Sequence, residues 1–124
     1  MRPGPSFSVS VEPLDERTNF VEATGDIDLA SADAFERRLL DSIDSPRIDA
    51  VVLDLTAVTF VGSAALNALV RSLERPARYD SLRVAIVADD SRVTSILEVS
   101  GLDRLFPILP TREAAIGAVR APPS

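Results

Sequence analysis

Ala50-Val51-Val52-Leu53-Asp54-Leu55-Thr56-Ala57-Val58-Thr59-Phe60-Val61-Gly62-Ser63-Ala64-Ala65-Leu66 is the stretch that decides the fold. Its first six residues are almost continuously apolar and rich in β-branched side chains, as expected of a central strand covered on both faces. Further on, Leu66, Leu69, Val70 and Leu73 recur at the spacing of one helix face. Ser63 therefore falls where a strand turns into a helix. Unpaired backbone N–H groups and the positive end of the helix dipole favour an added anion at such a point, so the Ser63 hydroxyl is a candidate phosphoacceptor. The plainer alternative is a serine that caps the helix with its own side chain.

Working outward, Phe7, Val9 and Val11 alternate with polar residues, and Phe20, Val21 and Ala23 form a second extended run beyond a turn-like segment from Pro13 to Asn19. These two runs are expected to pair as a hairpin. Gly25 breaks the pattern, and Ser31 is a good N-cap for a helix with Phe35, Leu39 and Ile43 on one side, ending before Pro46. Pro76 is expected to stop the helix that starts near Ser63, and Leu82 to Val87 reads as another buried strand. Asp89-Asp90-Ser91 supplies caps for a helix with Val93, Ile96 and Leu97 inward, ended by Gly101 in the left-handed conformation. Leu105 to Leu109 reads as a short edge strand because of Pro107, and Thr111 caps a closing helix with Ala114, Ala115, Ile116 and Val119. Alternating strands and helices predict an α/β sandwich with a mixed central sheet of about five strands and four α-helices.

The chain has 124 residues, enough for one core and too few for two. One domain is expected over residues 7–119, with short flexible tails at 1–6 and 120–124. A net charge of −6 without a basic stripe argues against nucleic acid. Every basic residue is Arg, and Lys, Cys and His are absent, which removes lysine chemistry, disulfides, thiol nucleophiles, imidazole bases and the usual zinc sites. No stretch approaches a membrane span and the start has no signal-like apolar region, so a cytoplasmic protein is expected. Carboxylates and hydroxyls alone make a poor catalytic set. We expect a monomer or weak dimer that is not an enzyme and needs neither metal nor cofactor.

Three blocks occur in order: Gly25-Asp26-Ile27-Asp28-Leu29-Ala30-Ser31-Ala32, then Leu53 to Leu66, then Leu97-Glu98-Val99-Ser100-Gly101-Leu102-Asp103-Arg104-Leu105-Phe106. Together they resemble the stand-alone bacterial anti-sigma-factor antagonists, whose fold is the STAS domain. The likeness runs from Phe7 to Val119 and is most specific in the third block. It implies a protein that binds an anti-sigma factor of serine-kinase fold, frees a sigma factor, and is switched off when that kinase phosphorylates a Ser or Thr in a motif resembling Asp-Ser-Ser-Gly-Leu. Carried onto this sequence, the phosphoacceptor is Ser63 and the closing leucine is Leu66, while Gly62, Ala64 and Ala65 stand for Asp, Ser and Gly. The resemblance implies a docking face made by Asp26, Asp28, Gly62, Ser63, Ala64, Ala65, Leu66, Asp89 and Asp90. Within it the Ala65 methyl is expected to crowd a partner that approaches a glycine closely, and Leu55, Val58 and Phe60 are expected to pack in the core or the loop. Asp28 and Asp89-Asp90 read equally well as helix caps.

Two other chemistries are disfavoured by composition. Asp54 in Val-Val-Leu-Asp-Leu resembles the aspartate of a phosphoacceptor receiver domain, but such a site needs a lysine and acidic residues after the first strand, where this chain has Ser8-Val9-Ser10-Val11. A serine hydrolase at Ser63 would lack a histidine or lysine to activate the hydroxyl, and caps account for Asp26, Asp28 and Asp54 more simply than a catalytic carboxylate cluster. The alternative that stays open is a non-phosphorylated STAS module, sensing a ligand or acting as a scaffold in a regulatory complex.

Overall fold

The apolar run that opens at Ala50 forms the middle of a five-stranded sheet. The computed structural model describes residues 7–44, 47–73 and 82–120. In chain order its elements are β1 (Ser8–Pro13), β2 (Thr18–Ile27), α1 (Leu29–Ile43), β3 (Ala50–Val61), α2 (Ser63–Leu73), β4 (Arg83–Val87), α3 (Ser91–Ser100), α4 (Leu102–Leu105), β5 (Ile108–Leu109) and α5 (Arg112–Arg120). The strands lie in the order β1-β2-β3-β4-β5, with β1 antiparallel to β2 and the other pairs parallel. The helix stops expected at Pro46 and Pro76, and the tails at 1–6 and 121–124, lie outside the described residues. Arg120, expected in a tail, belongs to α5 and bonds Asp15 at 2.7 Å.

The strand pattern follows from burial on both faces. Val51, Leu53 and Leu55 point into a cluster with Phe35 and Leu39 of α1, Leu69 and Leu73 of α2, and Val93 and Leu97 of α3. Ala50 and Val52 point the other way, toward Phe20, Ala85, Val87 and the α5 residues Ala115 and Val119. Removing those apolar surfaces from water is the main stabilising term.

Several helix ends are set by local chemistry. Asp28, not Ser31, is the N-cap of α1: its carboxylate accepts from Ser31 N at 3.2 Å, and the Asp28 amide donates to Ser31 Oγ at 2.9 Å. Both residues read as caps in the sequence, and the Asp28 reading holds: the pair forms a reciprocal box with Ser31 in its third helical position. Asp90 caps α3, and Gly101 ends that helix at φ +85, a conformation that costs any residue with a Cβ. Thr111 Oγ1 accepts from Ala114 N at 3.1 Å at the start of α5. Leu105 closes the short turn α4 rather than opening the last strand, which shrinks to Ile108–Leu109 at the sheet edge. Ile96 is only partly buried.

Where the parallel strands begin, ion pairs tie the loops together. Arg17 Nε donates to Asp49 at 2.8 Å, Arg83 approaches the same carboxylate at 3.6 Å, and Arg120 meets Asp15 at the C-terminal end of α5.

The upper half of β3 is irregular in a way that positions the site. Glu22 pairs with Asp54 but Thr24 with Ala57, and Gly25 pairs with Val58 but Asp26 with Phe60, so each shift places one extra residue in β3. Gly25, expected to end the second strand, instead lets β2 continue to Ile27 at φ +86. After the first shift burial recurs every third residue, at Leu55, Val58 and Val61, in place of strict alternation. Such shifts bend a strand and re-aim its side chains. Phe60 is thereby turned outward and is 50% exposed, packing against the Gly62 turn and not in the core, whereas Leu55 and Val58 are core.

Candidate functional site

The β2-to-α1 and β3-to-α2 junctions lie side by side. Ile27 is level with Val61, and Gly62 N donates to Ile27 O at 2.9 Å. Gly62 O in turn accepts from Leu66 N at 3.1 Å, the first bond of α2, so Ser63 occupies the first helical position. A cap must precede that position, and Ser63 is therefore not the cap of α2. Its side chain is exposed, and among the described residues its hydroxyl makes no hydrogen bond. The unpaired N–H groups of the first α2 turn and the positive helix end lie beside this hydroxyl.

Asp26 is level with Phe60 across the ladder, and its carboxylate accepts a hydrogen bond from the Thr59 hydroxyl. Asp28 is committed to α1 as its cap, with Ser31 Oγ also donating to Asp26 O at 2.9 Å. The structure thus brings Asp26, Asp28, Gly62 and Ser63 together. Asp89 and Asp90 follow β4, whose Val87 is level with Asp54, whereas β3 runs on to Val61 before reaching Ser63. They are set back along the sheet, and no hydrogen bond or ion pair among the described residues joins them to the Ser63 junction. Asp90 is also engaged by its own helix: the Arg92 guanidinium, and after it the Arg92 amide, hold its carboxyl at about 2.

Two expected contact residues take other parts. Ala65 is fully buried among the residues of the main core, so its methyl faces the sheet and cannot crowd a partner. Leu66 is partly buried against the same core, and Ala64 is half-exposed. Asp54 does not join the other aspartates either. It is level with Glu22, four positions before Asp26 on β2 and so roughly 13 Å back along the sheet at strand spacing, and accepts from Thr56 N at 2.8 Å and Thr56 Oγ1 at 2.7 Å. Among the described residues no group of acidic side chains is arranged to hold a metal ion, and no helix is long and apolar enough to cross a membrane.

Sequence reading placed Thr59 to Ala65 at this end of the sheet, with Phe60 as packing, and gave Leu29 no part there. The signal available was the pair of residues that β3 has in excess of β2, visible only once the register of both strands is known.

The sequence matches the STAS domain over residues 13–115. The chain belongs to the STAS domain family. Among STAS domain relatives, an anti-sigma-F factor antagonist of Mycobacterium tuberculosis, RsfB, is 34% identical over 77% of this chain and 76% of its own length. An anti-sigma factor antagonist from Mycobacterium paratuberculosis, solved by crystallography, superimposes with a TM-score of 0.83 at 33% identity, covering 94% of this chain and 96% of its own. The unphosphorylated form of the anti-sigma factor antagonist SpoIIAA shares the fold at a TM-score of 0.68 and 14% identity, over 93% of this chain and 100% of its own.

Proposed function

We propose that this STAS domain is an anti-sigma factor antagonist that binds an anti-sigma factor of serine-kinase fold through the β2–α1 and β3–α2 junctions, and that phosphorylation of Ser63 releases that partner. The observation that carries this reading is the Ser63 hydroxyl, exposed and without a hydrogen bond among the described residues, at the first position of α2. A structural cap would have its side chain occupied. The names of the relatives at a third identity or more support the binding role.

The switch follows from electrostatics. A phosphoryl group on Ser63 adds about −1.5 to −2 charges at neutral pH. Within the domain the α2 N-terminus favours that anion by roughly 0.3–1 kcal/mol, so the fold tolerates it. Across an interface the same charge must lose its water, and without a facing cation the cost is several kcal/mol. Phosphorylation therefore changes binding and not folding.

Intact-mass spectrometry after incubation with the cognate kinase and ATP, followed by peptide mapping, tests the reading. One phosphate on Ser63 is expected, and none on Ser63→Ala. The non-phosphorylated module, a scaffold or ligand sensor, is favoured by Gly62 and Ala64, which leave the motif without an acid or a second hydroxyl. Absence of added phosphate, or phosphate on Ser91, would select that second reading.

A further inference from the structure

We propose that Phe60 and Leu29 are the apolar anchors with which this chain selects its partner, and that the missing side chain at Gly62 keeps the Phe60 ring in place. The inference rests on the partner-binding reading above and names the residues that would supply its energy.

Among the described residues the exposed large apolar side chains are Leu29, Phe60, Val99 and Leu105. Isolated apolar groups on a surface are ordinary. Leu29 and Phe60 are not isolated from each other: Leu29, 84% exposed, opens α1 two residues after Ile27, and Ile27 is level with the residue that follows Phe60. They flank the Gly62–Ser63 turn from the two joined junctions. Phe60 also faces outward for a specific reason. In a regular strand it would share the inward face of Val58, two positions before it, and the extra residue at Thr59 turns it out.

Gly62 completes the arrangement. A Cβ built there would lie 3.2 Å from Phe60 Cε2 and 3.6 Å from Ile27 O. The ring lies close against that space, so a side chain at 62 would displace it by a few tenths of an ångström. At the position where the resembling motif carries an acid, this chain therefore presents a phenyl face.

The occupant that fits is the anti-sigma factor itself, offering an apolar pocket with basic side chains on the Asp26 and Asp28 side and no cation facing Ser63. The surface is continuous with Ser63, and the polar groups beside it are the carboxylates of Asp26 and Asp28 on a chain of net charge −6. A buried aromatic with a charged surround is the pattern of an interface hot spot. It also gives the phosphate more to disrupt, since a dianion beside a desolvated ring has no water to return to.

The test uses the full chain and each purified serine-kinase-fold anti-sigma protein encoded in the source genome, with affinities from isothermal titration calorimetry. Phe60→Ala and Leu29→Ala are expected to weaken binding about tenfold or more each, and Val99→Ala less than about twofold. Phe60→Leu, which keeps an apolar group, should recover most of the loss, and Gly62→Ala should weaken binding by pushing the ring aside. Circular dichroism melts that match wild type exclude unfolding as the cause. If wild type binds and both alanine variants bind within about twofold of it, this inference is wrong and the antagonist reading stands. If wild type binds none of these proteins, the antagonist reading fails and this inference with it.

Discussion

At the end where the parallel strands begin, Arg17 and Arg83 converge on Asp49 and Arg120 reaches Asp15, linking residues as much as 105 positions apart. At the end where β2 and β3 finish, the side-chain bonds among the described residues are mostly local, Asp28 with Ser31 in a cap, and the Asp26–Thr59 bond joins β2 to β3. The first end has its charged groups matched with one another. The second, among the described residues, leaves a hydroxyl without a bond and two large apolar side chains in water. Exposed ion pairs contribute little stability each, so the contrast lies less in how strongly each end is held than in what each has left to offer another molecule.

The largest effect expected at the open end is on binding. Phosphorylated Ser63 should lower affinity for the anti-sigma partner by roughly a hundredfold, and Ser63→Glu by at least about tenfold, with the melting temperature unchanged. Calorimetric titration beside a thermal melt separates the two; a fall in melting temperature as large as the loss of binding would mean that the open end is structural after all. Two residues along, the contrast reverses. Ala65→Leu overfills a fully buried position and should destabilise the fold by about 1–3 kcal/mol in urea unfolding. Unchanged stability there would show that the α2 face can turn outward and that Ala65 belongs to the docking surface.

Gly101, at the end of α3, sits at φ +85 with nothing within 4 Å of a built Cβ, so Gly101→Ala tests backbone conformation alone and should cost about 1–2 kcal/mol with binding intact. Arg120→Ala, at the paired end, should cost about 0.2–1 kcal/mol, diminish further in high salt, and leave partner affinity as in wild type. A drop in affinity would move the functional surface to that end. The smallest change is expected on acidification. Asp90 is held at about 2, below its ordinary 3.8, chiefly by the Arg92 side chain, so its charged form favours the folded state. That contribution is complete above pH 3.8 and is lost as pH falls from there toward about 2. Asp15, held down by the Arg17 amide first, and Glu36, held down by Arg71, act in the same direction. Melts across that range should show a shallower loss for Asp90→Asn than for wild type.

The central strand, the hairpin, the helix at Ser63 and the Gly101 stop were legible because each depends on a local pattern: a continuous apolar run, alternation, helical spacing, a left-handed glycine. The orientation of Phe60 was not. It depends on β3 having residues in excess of β2, and a single strand read alone carries no register. Ala65 was misjudged for a related reason, since the helix face that meets the sheet is set by where the helix begins, and Ala65, Ala68, Leu69, Ser72 and Leu73 form that face rather than the leucines alone. The turn α4 spans only four residues, too few for a periodic signal. The candidate aspartates were found by type, yet which of them lie beside Ser63 emerged from the ladder, because β4 stops level with Asp54.

That early stop gives β3 a mechanical character. From Ala50 to Asp54 the strand is clamped on both sides, by β2 and β4; from Leu55 to Val61 its ladder among the described residues runs along β2 alone, through two register shifts. It is a cantilever, with the clamp in the core and Ser63 at the free tip. A load applied at the tip by a docking partner or a new charge meets one row of hydrogen bonds instead of two, backed by the core packing of Val58, Val61 and Ala65, so the clamped half keeps its shape.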